Sequence, residues 1–166
     1  MTRIEDMSET QRQAWITLIV DVAVFVIFLR GMMTGRSIDT LSPGHLSAFI
    51  ISLIVTTIVL HIIIQAVFAA RKRGEPDDDL KDERDVRIER KGASYGFYVL
   101  TLFINLLVGH IVLQNSIEGL ADDRVSFVSV FDFTNTSHLV FALLFAAFVA
   151  DIIKNATMII AYRRGE

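Results

Sequence analysis

Four ionisable side chains lie deep inside long apolar segments of this sequence, at similar depths, and they are the residues best placed to do chemistry. They are Asp21, His61, Asp151 and Lys154. A charge in the hydrocarbon of a bilayer costs at least ~2.5–3.5 kcal/mol on insertion scales, so such side chains pair with one another or mark a functional path. A histidine titrates near neutral pH and carboxylates can share protons, which is the chemistry of a proton or cation relay.

Polar groups occur at one common depth in all four segments. Each segment has one about eight residues, or ~12 Å of helix, from its inner end. Because several isolated polar groups facing lipid would be costly, we predict that they converge in the interior of a helical bundle. The predicted buried polar cluster comprises Asp21, His61, Gln65, Asn105, Asp151, Lys154 and Asn155.

Three interpretations of this cluster remain open from the residues alone. A buried ion-paired network that fixes which helix faces which is the first. A proton or cation relay is the second. A metal site of His61 with Asp21 and Asp151 is the third and the weakest, because ligands from three separate segments give no diagnostic spacing. We expect no bound metal and no cofactor.

The segments that must position these residues are long enough to cross a membrane. Apolar residues make up 52% of the chain and the mean hydropathy is +0.49, which is high for a soluble domain. They concentrate in four blocks near 13–33, 45–70, 95–115 and 138–162, each able to cross ~30 Å of hydrocarbon. The blocks show no polar face, which argues against a soluble bundle.

The chain also repeats itself. Residues 3–30 match residues 87–114 at a constant offset, as in Arg3-Ile4-Glu5 and Arg87-Ile88-Glu89. We predict repeat 1 over 1–75 and repeat 2 over 87–166, each a hairpin of two spans. An insert over 125–133 is expected to lie in the outer interface. Repeats with an even number of crossings have the same orientation, which implies a pseudo-two-fold axis along the membrane normal.

Charge sets the predicted orientation. Of the sixteen Lys and Arg residues, twelve lie before span 1, between spans 2 and 3, or after span 4. Positively charged segments stay in the cytoplasm, so both termini and the central loop are predicted to be cytoplasmic. The predicted fold is therefore an all-α, four-span transmembrane helical bundle built from two tandem parallel helical-hairpin repeats.

The central loop is acidic as well as basic. Acid-first pairs four residues apart, such as Glu83 with Arg87, favour a helix, and we predict a charged cytoplasmic helix over 76–91 that runs into span 3. It is a solvated surface, a docking site for a cytoplasmic protein or, least favoured because the carboxylates lack calcium-loop spacing, a divalent-ion site. The residues assigned to this interaction helix are Asp82, Glu83, Arg84, Asp85 and Arg87.

The run Asp82-Glu83-Arg84-Asp85-Val86-Arg87-Ile88-Glu89, followed directly by a span, resembles a juxtamembrane motif of uncharacterised small multi-spanning prokaryotic membrane proteins. The resemblance covers residues 82–114. It implies the plasma membrane of a prokaryote and brings no catalytic residue.

The sequence excludes several functions. It contains no cysteine, so thiol chemistry is absent, and no nucleotide-binding loop or nucleophile elbow. A net charge of −3 argues against nucleic-acid binding. We expect no enzyme, but an accessory, regulatory or scaffolding membrane protein that binds a cytoplasmic partner through the charged loop. The alternative is an oligomeric proton- or cation-linked transporter or channel, and a homodimer is expected for it.

Overall fold

The computed structural model describes residues 8–33, 43–71, 82–118 and 135–165. These ranges form four α-helices: α1 (Glu9–Met33), α2 (Pro43–Arg71), α3 (Glu83–Glu118) and α4 (Thr136–Arg164). Each is long and apolar enough to cross a membrane. The all-α architecture and the four apolar helices are confirmed. The insert over 125–133 and the central loop over 72–81 lie outside the described residues.

Local sequence explains where the helices begin and end. α2 starts at Pro43, at the first helical position that proline favours. The Asn135 side chain caps α4 by accepting a hydrogen bond from the Ser137 amide at 2.9 Å. Gly165 closes the same helix with φ of 74°, a left-handed conformation that glycine adopts without steric cost. α3 continues without a break from the charged Glu83 into the apolar span.

The helices stand side by side in the order α2, α1, α4, α3. α1 packs against α2 and α4, and α3 packs most extensively against α4, whereas α2 and α3 make only marginal contact within the described residues. A two-fold axis relating the repeats would superpose α1 on α3 and α2 on α4. The contact between α1 and α4 would then have an equivalent contact between α2 and α3. The interhelical contacts do not follow that symmetry, and the repeat stays a prediction.

The interior contains two apolar cores. One, built from Ala14, Ile88, Met158, Ile159 and Ala161, lies at the end of the bundle that is predicted to be cytoplasmic, and we call it the inner core. The outer core surrounds Val20, Val24 and Phe28 of α1 and contains phenylalanine rings whose centroids lie 5.5–6.3 Å apart. Such tilted ring pairs stabilise packing beyond their buried area.

Candidate functional site

Asp21 and Asn155 form a buried polar pair between the two apolar cores. The exposed fraction is 7% for Asp21 and 4% for Asn155. Asn155 Nδ2 donates to Asp21 Oδ2 at 3.2 Å and also to the Asp151 carbonyl oxygen of its own helix at 3.0 Å. The hydrogen bond joins α1 to α4, so this pair fixes the axial register of the two central helices.

Three further charged or titratable side chains lie close enough to act electrostatically on Asp21. They are Asp151 and Lys154 on α4 and His61 on α2. Lys154 and His61 are half-buried, whereas Asp151 is exposed on the surface of the single chain. Five of the seven predicted cluster residues therefore gather around Asp21, from three helices.

Within the described residues, Gln65 and Asn105 make no hydrogen bond to the residues around Asp21. Both side chains are exposed. Asn105 Nδ2 donates to the Thr101 carbonyl oxygen of its own helix at 2.9 Å and not to the cluster. The reason is helical phase: α3 turns Gly92 and Gly96 toward α4, and Asn105 lies on the opposite side.

A second polar site joins three helix ends at the inner side of the molecule. Tyr162 Oη donates to Asp85 Oδ1 at 2.6 Å, and Ser8 Oγ donates to the same oxygen at 3.2 Å. Asp85 is only 8% exposed. Ser8 also caps α1 by accepting from the Gln11 amide at 3.3 Å. The start of α1, the start of α3 and the end of α4 are thus held by one carboxylate, which we call the inner-end junction.

The inner-end junction divides the predicted interaction helix into two faces. Asp85 turns inward, and Ile88, one turn along, is buried in the inner core. Arg84 lies over the Tyr162 ring at 5.9 Å from its centroid, a cation–π distance. The outward face carries charged, exposed side chains at Asp82, Glu83, Arg84 and Arg87.

The sequence did not predict this junction, because only Asp85 of its three residues had been assigned a role. The one available signal was a serine immediately before the first helix, at a position typical of an N-cap. His138 is buried at the end of α4 opposite the inner-end junction, although no role for it was predicted.

An apolar groove of about 450 Å³ opens between α3 and α4 in the outer half of the molecule. Its lining includes Phe103, Leu107, Phe141 and Phe145, with His110 at its edge. Within the four described ranges, no three His, Asp or Glu side chains come close enough together to hold a metal ion. The side chains around Asp21 therefore provide buried hydrogen bonds and electrostatic interactions between ionisable groups.

Comparisons with family models, with curated proteins and with solved structures found no match to this chain.

Proposed function

We propose that the protein is a membrane accessory or scaffolding protein that binds a cytoplasmic protein through the exposed charged face of α3. The observation that carries this proposal is the inner-end junction, which fixes the first turns of α3 to α1 and α4. A helix held in this way presents its outward side chains in one orientation. Preorganisation of that kind lowers the ordering cost of binding.

The exposed face carries both signs of charge, which would select a partner by its charge pattern. Glu83 and Arg87 lie one turn apart in the acid-first order, and Arg90 and Lys91 extend the basic part toward the span. Opposite charges in a fixed pattern favour a partner with the complementary pattern and reject like charges. The proposal includes no catalytic step.

The proposal places both termini and α3's charged start in the cytoplasm of a prokaryote, with the helices in its plasma membrane. The excess of Lys and Arg at these ends supports that orientation. The resemblance of residues 82–89 to a prokaryotic juxtamembrane motif supports the choice of membrane.

Photo-crosslinking tests the proposed surface. A photoreactive amino acid at Arg87 should capture one cytoplasmic protein in intact cells, while the same probe at Leu106, within the span, should not capture that protein. With the probe at position 90, the charge exchange Glu83→Arg with Arg87→Glu should abolish capture of that protein. Asp21→Asn should leave its capture unchanged. Capture that survives the charge exchange would contradict the proposal.

A proton- or cation-linked transporter is the second candidate, favoured by the buried Asp21 with His61 and Lys154 nearby. Buried ionisable groups at span depth are typical of proton and ion paths. In proteoliposomes this function requires proton or cation flux that Asp21→Asn abolishes and that Glu83→Arg leaves intact. The absence of flux from the parent protein would exclude it.

A further inference from the structure

α3 has two opposite faces, and α4 covers only one of them. Gly92, Gly96 and Phe103 lie on the covered face. Residues of an α-helix are ~100° apart, so Asn105 lies about 200° around the helix from Phe103. Exposed residues follow this second face at the alternating three- and four-residue spacing of a heptad, and we call them the α3 seam: Tyr98, Leu102, Asn105, Gly109, Val112 and Ser116.

Asn105 is a seam residue with polar groups that lipid cannot satisfy. One of its amide hydrogens is used on the Thr101 carbonyl oxygen. Its own carbonyl oxygen and its second N–H have no hydrogen-bond partner within the described residues, and hydrocarbon supplies neither donors nor acceptors. A second protein group at this depth would remove that cost.

Gly109 lies one turn beyond Asn105 and leaves room for such a group. A Cβ built on Gly109 would meet nothing within 4 Å, whereas Gly92 and Gly96 are in tight contact with α4. Small residues at helix interfaces in membranes let two backbones approach closely. The exposed face of α2 differs, because between Ile51 and Ile63 its large exposed side chains are isoleucines and valines, which suit lipid.

We propose that the protein forms a two-fold symmetric homodimer in the membrane through the α3 seam. A second copy is the occupant that this face fits, because an asparagine carries both a donor and an acceptor and so complements itself across a two-fold axis. The heptad spacing fits a parallel helix pair, in which a single polar seam residue sets register and orientation.

The contact is centred in the span. Arg87 and Lys91 lie on the same side of α3 at its inner end and are exposed. In a parallel dimer these like charges would face each other, so the two helices diverge there and leave the charged face accessible. The dimer therefore does not depend on the cytoplasmic partner proposed above.

Disulfide cross-linking tests the dimer directly, because the chain contains no cysteine of its own. Val112 and Leu106 are similarly exposed, at 57% and 61%, but only Val112 belongs to the seam. In liposomes at low protein-to-lipid ratio, the full chain with Val112→Cys should form a disulfide-linked dimer on mild oxidation. The chain with Leu106→Cys should form no disulfide-linked dimer under the same oxidation.

Substitution of Asn105 distinguishes specific self-association from cross-linking by chance collision. In the Val112→Cys background, Asn105→Leu should weaken association about 3- to 30-fold, the range expected for one interhelical hydrogen bond in a membrane. Asn105→Gln, which keeps donor and acceptor, should retain most of the dimer, and Gly109→Leu should abolish it.

Three results would each overturn the proposal: equal cross-linking from Leu106→Cys, a monomeric parent chain in subunit counting by photobleaching, or undiminished association with Asn105→Leu. Cross-linking of Val112→Cys to a different protein would also overturn it. The comparison of Val112→Cys with Leu106→Cys stays decisive even where Asn105→Leu fails to fold.

Discussion

Asp21 and Asp151 are both carboxylates at span depth, but their surroundings differ. Asp21 is buried and accepts a hydrogen bond from Asn155, whereas Asp151 is exposed on α4 and acts on Asp21 only through its charge. A buried polar group that loses its partner costs more than an exposed one, because water or lipid headgroups cannot replace the lost bond. The two residues should therefore respond unequally to substitution.

Removal of the Asn155 donor tests the central pair. Asn155→Leu should destabilise the folded protein by about 1–3 kcal/mol, because Asp21 is left buried without this hydrogen bond. The double variant Asp21→Leu with Asn155→Leu should recover most of the loss, since no polar group then remains unpaired. Thermal or denaturant unfolding in detergent micelles measures both.

Asp151→Ala is the matched control for that cycle, and it should change stability less than Asp21→Ala does. The network interpretation is wrong if Asp21→Ala and Asp151→Ala both express and unfold like the parent.

The Tyr162 hydroxyl provides a prediction at the inner-end junction. Tyr162→Phe should destabilise the protein by about 1–2 kcal/mol, because Asp85 loses its shorter hydrogen bond and keeps only the one from Ser8. Tyr95→Phe is the matched control, since Tyr95 lies on α3 and is 50% exposed. Equal melting of the two variants would show that the junction does not stabilise the fold.

At the residue scale, the sequence indicated how deep each polar side chain lies in its span but not which side of its helix it occupies. Asp21 and Asn155 stand out because they are polar in apolar surroundings, and five of the seven named residues do gather. Asn105 lies at the expected depth on the wrong side of its helix for this cluster. No periodic polar face accompanies it, so sequence alone gave no means of assigning its phase.

The α3–α4 contact depends on two glycines at the level of elements. A Cβ on Gly92 would lie 2.5 Å from Met158 Cγ and 2.9 Å from the Lys154 carbonyl oxygen, and one on Gly96 would lie 3.0 Å from Lys154 Cβ. The methionine can move, but the backbone oxygen cannot without shifting α4. This explains why the Gly-x-x-x-Gly spacing at 92 and 96 seats a helix of the same chain.

Gly92→Ala should therefore destabilise the protein by about 1–3 kcal/mol through overpacking. Gly109→Ala changes the same residue type on the same helix in a place that is open in the single chain. In detergent at a protein concentration where the chain is monomeric, it should leave unfolding unchanged or slightly improve it, because alanine favours helix. Loss of stability in both variants alike would point to a backbone requirement of α3 and not to close packing. Far-UV circular dichroism during thermal unfolding gives the comparison.

Helix positions were predictable because length, apolar content and end signals are local properties. The spans near 13–33 and 138–162 correspond to α1 and α4, and Pro43 and Asn135 mark real helix starts. The neighbours of each helix were not predictable. A helix that is apolar on every side has no periodic signal that says which face meets protein and which meets lipid.

The four described helices form a bundle in which burial is uneven. In their apolar stretches, 33% of α1 residues and 28% of α4 residues are buried, against 6% for α2 and for α3. α1 and α4 are thus the core of the fold, and the outer helices expose apolar side chains along most of their length. Exposure on that scale requires lipid or another protein chain around the molecule.

The orientation of this bundle is the last prediction, and it decides where the charged face of α3 acts. Single cysteines at Glu83, Asp39 and Asp123 sample the two predicted sides of the membrane; Asp39 and Asp123 lie outside the described residues. Because Lys and Arg are concentrated at the end that holds Glu83, Glu83→Cys should react with an impermeant maleimide only after the membrane is permeabilised. Asp39→Cys and Asp123→Cys should react in intact cells.

The parent chain is the negative control for this labelling, since it has no cysteine to react with the maleimide. The reverse pattern would place the inner-end junction and the outward face of α3 outside the cell, and a cytoplasmic partner would then be excluded whatever the cross-linking showed. The α3 seam would keep its depth and its two-fold geometry under either orientation, because a parallel dimer is unchanged when both copies are inverted together. Sidedness and self-association are therefore separate properties of the molecule, and the labelling result bears on the first alone.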